Sequence, residues 1–204
     1  MLKADLSLLF TYDEAVRNEG IELLCGVDEA GRGPLAGPVF AAAVIFPPQV
    51  EIPGLNDSKK LTPARRERLF DEILDNALYC AVASASEQEI DRQNILNATY
   101  LAMRRAVEQL QELPELILVD GNRAGKLPAT SRCIVGGDGI SASIAAASVL
   151  AKVSRDRYML ALAEEYPQYG FEQHKGYPTQ LHYERLREYG PCPAHRRTFL
   201  KKLH

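Results

Sequence analysis

The chain has 204 residues and a mass of 22.6 kDa, which fits one domain of ordinary size or one domain with a small appendage. Hydrophobic residues make up 46% and charged residues 25%, a composition that excludes disordered and fibrous proteins. The longest apolar stretch, residues 35–46, is interrupted by Gly37 and Pro38 and is shorter than the ~20 residues of a bilayer span. A transmembrane protein is therefore excluded, and the first residues lack the apolar run of a secretory signal.

The cysteines are widely spaced, at Cys25, Cys80, Cys133 and Cys192, and form no Cys-x-x-Cys pair. This spacing supports neither a zinc ribbon nor a redox motif. Because a chain of this size without a secretory signal does not need disulfide bonds, we interpret the cysteines as reduced thiols. The sequence predicts a cytoplasmic protein, and we expect a monomer.

The net charge of −3 hides a gradient along the chain. Residues 1–30 contain seven acidic and two basic residues, whereas residues 174–204 contain seven basic residues, two acidic residues and all four histidines. Such an asymmetry fits a surface that binds nucleic acid, and it fits a solvated basic tail equally well. Charge alone does not separate the two.

The predicted elements mix strands and helices without strict alternation. Apolar runs predict strands, in chain order, at residues 22–27, 39–46, 79–84 and 116–119, with a further short run at 134–135. Helical spacing and capping residues predict helices that begin at Thr62-Pro63, present a face from Ile95 to Leu110, run from residue 141 to about 163, and run from 179 to 189. We expect an α/β fold, with a sheet domain at residues 1–165 and a C-terminal helical segment at 166–204 packed on it as a single structural unit.

Three of these apolar runs lead to acidic residues beside glycine, namely Asp28 with Glu29, then Asp120, then Asp138. Carboxylates brought together repel one another unless cations lie among them. Oxygen ligands without nearby histidine or thiolate suit Mg²⁺ or Mn²⁺ better than zinc, and two such ions would clamp the attacking water and leaving oxygen of a phosphodiester. The alternative is that these acids are ordinary turn residues. Because side chains alternate along a strand, Asp28 and Glu29 would both be ligands only if the strand breaks there.

A rival interpretation starts at Gly31, where Gly-Arg-Gly-Pro-Leu-Ala matches the dinucleotide-binding pattern G-x-G-x-x-G/A. That motif must open a helix whose N-terminus holds a pyrophosphate. Here Pro34 and Pro38 precede a strand-like run, and the preceding acids would repel the pyrophosphate. The dinucleotide interpretation is therefore disfavoured.

Five motifs stand in order along the chain. They are Gly-Val-Asp-Glu-Ala-Gly-Arg-Gly-Pro-Leu-Ala-Gly (26–37), Leu-Asn-Asp-Ser-Lys-Lys-Leu (55–61), Val-Asp-Gly-Asn (119–122), Ala-Ala-Ala-Ser-Val-Leu-Ala-Lys-Val-Ser-Arg-Asp (145–156) and His-Lys-Gly-Tyr-Pro-Thr (174–179). With these motifs the sequence resembles ribonuclease HII, the bacterial type 2 ribonuclease H, from about residue 24 to 199. No single motif would be specific, but the ordered set is.

The resemblance implies a ribonuclease H-like mixed sheet flanked by helices, and cleavage of the RNA strand in RNA–DNA hybrids. It also implies incision on the 5′ side of single ribonucleotides in duplex DNA, leaving a 3′-hydroxyl and a 5′-phosphate. The family's metal-binding, catalytic carboxylates match Asp28, Glu29, Asp120 and Asp138, which would hold two Mg²⁺ or Mn²⁺ ions. Removal of misincorporated ribonucleotides and of primer RNA both fit this activity.

The resemblance also assigns substrate-binding residues. Gly31, Arg32 and Gly33 would read the 2′-hydroxyl, the group that distinguishes RNA from DNA, and Tyr177 would pack on the sugar beyond the junction. Ser58 and Lys59 lie in a polar loop where Lys59 is placed to hold a phosphate, and Lys152 shares a helix face with Ser148 and Asp156.

For the remaining polar residues, the sequence predicts either a structural role or no definite role. His182 is expected to pack, no histidine is assigned to metal, and Arg155 is expected at the surface or in an ion pair. His195, Arg196 and Arg197 are candidates for phosphate contacts, and the tail after Thr198 lacks a sliding-clamp motif. Two alternatives stay open: a non-catalytic hybrid-binding module, and another enzyme of the same fold, such as a DNA recombinase.

Overall fold

A computed structural model describes residues 2–201, with side chains from residue 8 onward. The elements in this range are, in chain order, α1 (Leu2–Arg17), β1 (Leu24–Ala30), β2 (Val39–Ile45), α2 (Pro63–Asn76), β3 (Tyr79–Ala85), α3 (Glu87–Glu108), β4 (Leu116–Asp120), β5 (Thr130–Ile134), α4 (Ala142–Glu165), α5 (Phe171–His174) and α6 (Gln180–Tyr189). Two 3-10 turns, Ser58–Lys60 and Gly137–Gly139, carry further residues of interest. Among the described helices, none combines the length and apolar character that crossing a membrane requires.

The strands form one mixed sheet in the order β3-β2-β1-β4-β5. The chain makes an antiparallel meander through β1, β2 and β3, and then adds β4 and β5 parallel to β1 on its other side. Helices cover both faces of the sheet, and a helical segment follows at the C-terminus. The predicted fold class, a mixed α/β sheet flanked by helices with a C-terminal helical extension, is confirmed.

Helix α4 lies directly on β1, and a glycine makes this possible. A Cβ atom added at Gly26 would lie 2.1 Å from the backbone carbonyl carbon of Ser143. Helix α4 is buried along most of its first half, as its nearly all-round apolar sequence predicts, whereas α3 covers the opposite face with Ile90 and Met103. This layering fixes which side chains of the central strands point toward α4.

The register of the central strands brings two carboxylates together. Parallel pairing of β1 with β4 places Val27 opposite Val119, and both of these side chains face α3. Because side chains alternate along a strand, the next residues, Asp28 and Asp120, lie side by side on the α4 face at the carboxyl ends of the two strands.

The segment after α4 packs against the rest of the fold through an apolar cluster that includes Leu35, Met159, Phe171 and Leu186. Its last part also joins the loop before β2 through backbone hydrogen bonds. One runs from Arg196 N–H to the Leu35 carbonyl at 2.8 Å, and another from Gly37 N–H to the Ala194 carbonyl at 2.9 Å. The C-terminal segment is thus fastened to the loop that follows β1.

Helices α1 and α5 and most of strand β5 escape the sequence prediction. Helix α1 was not predicted, although Leu9 and Val16 are buried and Asp13 accepts hydrogen bonds from the backbone and hydroxyl of Ser143 at the start of α4. For strand β5, the sequence predicts only a short apolar run at its end, because the side chains of this strand are mostly exposed and give no apolar signal.

Helix α3 begins earlier than its predicted apolar face. Ser86 caps it at Glu87, and the helix is interrupted at Asn94, whose φ is 70°. The side chain of Asn94 accepts a hydrogen bond from Asn97 N–H at 3.1 Å. The stretch beginning at Ile95 therefore has its own N-terminal cap, which explains why the sequence predicted a helix there.

Candidate active site

An open cleft of about 280 Å³ lies at the carboxyl ends of β1 and β4. Its lining contains most of the residues that the sequence singled out, namely Asp28, Glu29, Gly31, Arg32, Gly33, Ser58, Lys59, Asp120, Lys152 and Tyr177. Asp138 is not part of that lining, but it adjoins the cleft through Asp28 and Asp120. Residues from five separate parts of the chain therefore meet at one place.

Three carboxylates form the centre of this cleft. Asp28, Asp120 and Asp138 each offer one oxygen, and these oxygens all lie within 4.8 Å of one another. Asp120 Oδ1 accepts a hydrogen bond of 2.7 Å from Gly137 N–H, so the turn that carries Asp138 is tied to the end of β4. Within the described part of the chain, this is the one group of three or more acidic, histidine or cysteine residues close enough to share an ion.

The positions of two of these acids differ from expectation. Asp138 does not end an apolar strand: β5 stops at Ile134, and Asp138 lies in the 3-10 turn that follows. Strand β1 does not break at Asp28 but runs through Ala30. Glu29 consequently starts on the opposite side of the strand from Asp28, and it lies in the cleft margin outside the three-carboxylate cluster, 3.3 Å from Arg32 Nη1.

The carboxylates raise one another's proton affinity. Burial raises the pKa of Asp28 well above its ordinary value, and the charges of Glu29 and Asp120 raise it further. Burial also raises the pKa of Glu29 against the opposing effect of Arg32, and that of Asp138 against the opposing effect of Lys59. Oxygen donors that repel one another in a buried place are suited to a divalent cation such as Mg²⁺ or Mn²⁺.

Two lysines flank the cluster. Lys59 Nζ lies 3.1 Å from Asp138 Oδ2; partial burial acts to lower the pKa of Lys59, but the hydrogen bond and charge of Asp138 raise it overall. Lys152 Nζ donates to Asp156 Oδ1 at 2.7 Å, one turn further along α4. Each ammonium group thus already has an acidic partner at the edge of the cleft.

A serine pair connects the polar loop to α4. The hydroxyl groups of Ser58 and Ser148 lie 2.8 Å apart and are buried, and Ser148 also hydrogen-bonds Asp28. The sequence places Ser148 only on a helix face with Lys152, and its contact with Asp28 gives it a place in the site. The pair fixes the loop that carries Lys59 against the carboxylate cluster.

The glycine-rich loop after β1 is held from behind by a buried arginine. Arg196 donates to four backbone carbonyls, those of Gly31 at 2.6 Å, Arg32 at 3.0 Å, Pro34 at 2.8 Å and Gly37 at 2.8 Å. Burial lowers the pKa of Arg196 to about 9. The expectation that this arginine contacts phosphates is wrong, because its side chain is fully buried.

A second buried arginine supports the same loop. Arg155 donates to the carbonyls of Ala36, Pro38 and Lys175 at 3.1–3.2 Å, and a Cβ atom at Gly31 would lie 2.0 Å from its Nε. Arg155 was expected at the surface or in an ion pair, and that expectation is wrong. Its spacing was the available signal, since it lies one turn from the buried Met159 on the apolar side of α4.

Tyr177 lies across the cleft from this loop. Its side chain is 40% exposed, a Cβ atom at Gly33 would be 3.8 Å from its ring, and the guanidinium carbon of Arg155 is 5.7 Å from the ring centroid. Arg155 therefore contacts both the glycine-rich loop and the tyrosine, and fixes the position of one side of the cleft relative to the other.

Three of the four histidines are buried together beneath Tyr177. His174 stacks on His182 at a centroid distance of 4.4 Å, and His182 Nε2 lies 3.0 Å from His195 Nε2. His195 was a candidate for phosphate contact, and this is wrong because its ring is buried. His204 lies outside the described residues.

Comparison with known proteins gives a consistent result. Residues 25–203 match the family described as ribonuclease HII. A ribonuclease HII of Caldicellulosiruptor bescii is 53% identical over 194 residues, 95% of this chain and 94% of that protein. One of Burkholderia pseudomallei is 59% identical over 178 residues, 87% of this chain and 83% of that protein.

Solved structures have the same fold. The crystal structure of ribonuclease H2 from Pyrococcus horikoshii superposes with a TM-score of 0.71 at 31% identity, over 86% of this chain and 92% of that one. The mixed sheet, the acidic cleft and the relatives that share more than half of its residues lead to one conclusion: this chain belongs to the ribonuclease HII family.

Proposed function

We propose that this chain is a metal-dependent endoribonuclease that hydrolyses the RNA strand of RNA–DNA hybrids and nicks duplex DNA on the 5′ side of a single ribonucleotide. The observation that carries this proposal is the arrangement of the cleft. Three carboxylates lie at its centre, a glycine-rich loop lies on one side, and an exposed tyrosine lies on the other. Family membership supports the ribonuclease activity, and the arrangement of these groups supports the finer specificity.

The carboxylates are the residues that would hold the metal. Asp28, Asp120 and Asp138 offer clustered oxygen donors, and Glu29 lies in the same cleft. Two divalent ions bound by this set would supply the positive charge that phosphodiester hydrolysis requires, leaving a 3′-hydroxyl and a 5′-phosphate. The choice between Mg²⁺ and Mn²⁺ does not follow from the donor set, since both prefer oxygen ligands.

The protein's own part is to position these groups. Gly137 N–H orients Asp120, Ser148 hydrogen-bonds Asp28, and Lys59 pairs with Asp138 in the protein without metal. With the carboxylates occupied by cations, Lys59 and Lys152 are placed to bind phosphates of the substrate at the cleft edge.

The glycine-rich loop is suited to recognise a ribose. Arg196 engages the carbonyls of Gly31 and Arg32 from inside the protein, whereas the N–H groups of Arg32 and Gly33 have no acceptor in the described part of the chain. A 2′-hydroxyl offers the oxygen that such donors need and deoxyribose does not. This fixed loop would therefore select a ribonucleotide.

Tyr177 would select the nucleotide that follows. Its exposed ring lies across from Gly33 and offers a flat surface on which a deoxyribose without a 2′-hydroxyl can pack. A ribonucleotide followed by a deoxyribonucleotide would satisfy both sides of the cleft. Because Arg155 and Arg196 link these parts, we also propose that residues 1–165 and 166–204 act as a single unit. We further propose that this unit acts as a monomer, because one chain supplies all the residues that line the cleft.

The experiment that tests the proposal uses a labelled DNA duplex containing one ribonucleotide, its all-DNA twin and a uniform RNA–DNA hybrid, each with Mg²⁺, Mn²⁺ or EDTA. We expect metal-dependent cleavage of the hybrid and one nick 5′ of the ribonucleotide, with the all-DNA duplex intact. Cleavage of the all-DNA duplex would indicate a general nuclease, and hybrid binding without cleavage under either metal would indicate a binding module.

A further inference from the structure

The loop that carries Tyr177 is held by hydrogen bonds to two buried histidine rings. Gly176 N–H donates to His174 Nδ1 at 3.1 Å, and the carbonyl of Tyr177 lies 2.9 Å from His182 Nδ1. The residue before this loop, Lys175, has a φ of 50°, and Gly176 has a φ of 82°. The backbone just before Tyr177 thus lies in the left-handed region, which is unusual for the lysine, and the imidazole rings hold this segment in place.

The contacts of these rings require one set of tautomers. His174 Nδ1 accepts a hydrogen bond, so its Nε2 carries the proton and donates to the Tyr169 carbonyl at 3.0 Å. His182 Nδ1 faces the carbonyl of Tyr177, so that nitrogen carries the proton and Nε2 is free to accept.

The third ring completes the chain of bonds. His182 Nε2 accepts from His195 Nε2–H at 3.0 Å, and this leaves His195 Nδ1 to accept from the backbone N–H and the thiol of Cys192 at 3.0 Å and 3.1 Å. Each ring is neutral, and every ring nitrogen has one donor or acceptor role. Burial lowers the pKa of both His182 and His195 to about 4, which agrees with neutral rings.

We propose that His182 is a positioning residue for Tyr177: its Nδ1–H holds the Tyr177 carbonyl and so sets the preference for a ribonucleotide followed by DNA, while the bond from His195 keeps the proton on that nitrogen. The proposal rests on the junction role given to Tyr177 above. No atom of the three rings contacts the carboxylate cluster in the hydrogen bonds described, so His182 would affect substrate choice rather than the hydrolysis itself.

Two amide substitutions test the two nitrogens of the His182 ring separately, because each retains the hydrogen bond of only one of them. Asn places its amide nitrogen where Nδ1 lies, and Gln places its amide group where Nε2 lies. His182→Asn therefore keeps the bond to the Tyr177 carbonyl and loses His195, whereas His182→Gln keeps His195 and loses the Tyr177 carbonyl. Because each variant loses one buried hydrogen bond, we expect the two variants to be equally stable. Thermal melts check this expectation.

The measurement is the ratio of the cleavage rate on a single-ribonucleotide duplex to the rate on a uniform hybrid, with Tyr177→Ala as reference. We expect His182→Gln to lower this ratio by roughly fivefold toward the reference, the effect of one lost hydrogen bond, and His182→Asn to retain the wild-type ratio. Equal ratios for the two variants would overturn the positioning role. A wild-type ratio in Tyr177→Ala would instead contradict the junction role in the proposed function.

A second measurement needs no variant. Imidazole ¹⁵N spectra of the wild-type protein should show a protonated Nδ1 in His182 and a protonated Nε2 in His174 and His195. Protonation of His182 at Nε2 would overturn the proposal whether or not the variants fold, because that tautomer cannot donate to the Tyr177 carbonyl.

Discussion

The ammonium nitrogen of Lys59 lies 3.1 Å from Oδ2 of Asp138, although 74% of the lysine side chain is exposed. The two residues come from different 3-10 turns, Ser58–Lys60 and Gly137–Gly139. The lysine thus places a positive charge at the carboxylate cluster in the protein alone. A divalent cation bound to Asp138 would have to compete with that charge, and the displaced ammonium would become available to the substrate.

Replacing Lys59 should separate metal binding from substrate binding. Since one nearby unit charge at an exposed site contributes about 1 kcal/mol, Lys59→Met should tighten Mg²⁺ binding by roughly fivefold while it raises the KM for the hybrid. Calorimetric titration with Mg²⁺ and steady-state kinetics measure the two effects. Lys60→Met is the control, because Lys60 pairs with Asp57 at 3.9 Å. Weaker Mg²⁺ binding in Lys59→Met but not in Lys60→Met would contradict competition between Lys59 and the metal for Asp138.

Asp28→Asn should abolish cleavage and, without metal, stabilise the protein. The substitution removes a charge that burial, Glu29 and Asp120 make unfavourable, and a gain of about 1 kcal/mol is expected. Thermal melts in EDTA and cleavage assays in Mg²⁺ provide the measurement. Asp71→Asn on the exposed face of α2 should change neither, and near-normal cleavage by Asp28→Asn would overturn the metal assignment.

Divalent cations should stabilise the protein more at pH 8 than at pH 5. The pKa values of Asp28, Glu29 and Asp138 are raised in the fold. The stability that these groups contribute without metal is therefore present below their ordinary values of 3.8 and 4.5, and it is lost as the pH rises through the raised values. Melts with Mg²⁺ and with EDTA at both pH values test this, and an equal increase in Tm at the two would count against it.

Acid should destabilise the protein through its buried histidines. The pKa values of His182 and His195 are lowered from 6.5 to about 4, so the unfolded chain binds protons that the fold excludes. Stability is complete above pH 6.5 and falls as the pH decreases toward 4, by up to a few kcal/mol, since each pKa unit corresponds to about 1.4 kcal/mol. Urea unfolding across this range measures the slope, which His182→Asn should reduce; an unchanged slope in that variant would show that other groups cause it.

Replacing Arg196, the buried arginine behind the glycine-rich loop, should lower the free energy of unfolding more than replacing its exposed neighbour Arg197. Arg196→Met leaves the carbonyls of Gly31, Arg32, Pro34 and Gly37 without their donor, at a cost of about 3 kcal/mol or more. Arg197→Met, at an exposed position, should stay within about 0.5 kcal/mol of wild type. Denaturant titration compares the two variants, and similar losses in both would contradict this account of the loop.

The sequence predicted the parts of the site that local pattern determines. Asp28 and Asp120 follow apolar strands, and their proximity follows from strand ends meeting at one edge of a sheet. The position of Asp138 was harder to predict, because β5 is an exposed edge strand without an apolar pattern. Arg155 and Arg196 were misjudged since a charged residue is ordinarily expected in solvent; their burial depends on carbonyl groups that only the tertiary structure brings together.

The helices also divide into features that local sequence predicts and features that depend on tertiary structure. The burial of α4 was predicted because nearly all of its first half is apolar, whereas the beginning of α3 was missed because a cap at Ser86 and a break at Asn94 divide its pattern. The role of Asp13 at the start of α4 depends on a partner 130 residues away in sequence, which no local pattern indicates.

The position of Arg196 in the chain has a consequence for synthesis. A ribosome translates Asp28, Asp120 and Asp138 well before residues 192–199, so a growing chain contains all three acids while the loop at Gly31 still lacks its guanidinium. The acids are thus synthesised before the residue that supports the glycine-rich loop. Because Arg196 follows every strand of the sheet along the chain, the loop at Gly31 can gain its hydrogen bonds to Arg196 only after the whole sheet has been synthesised.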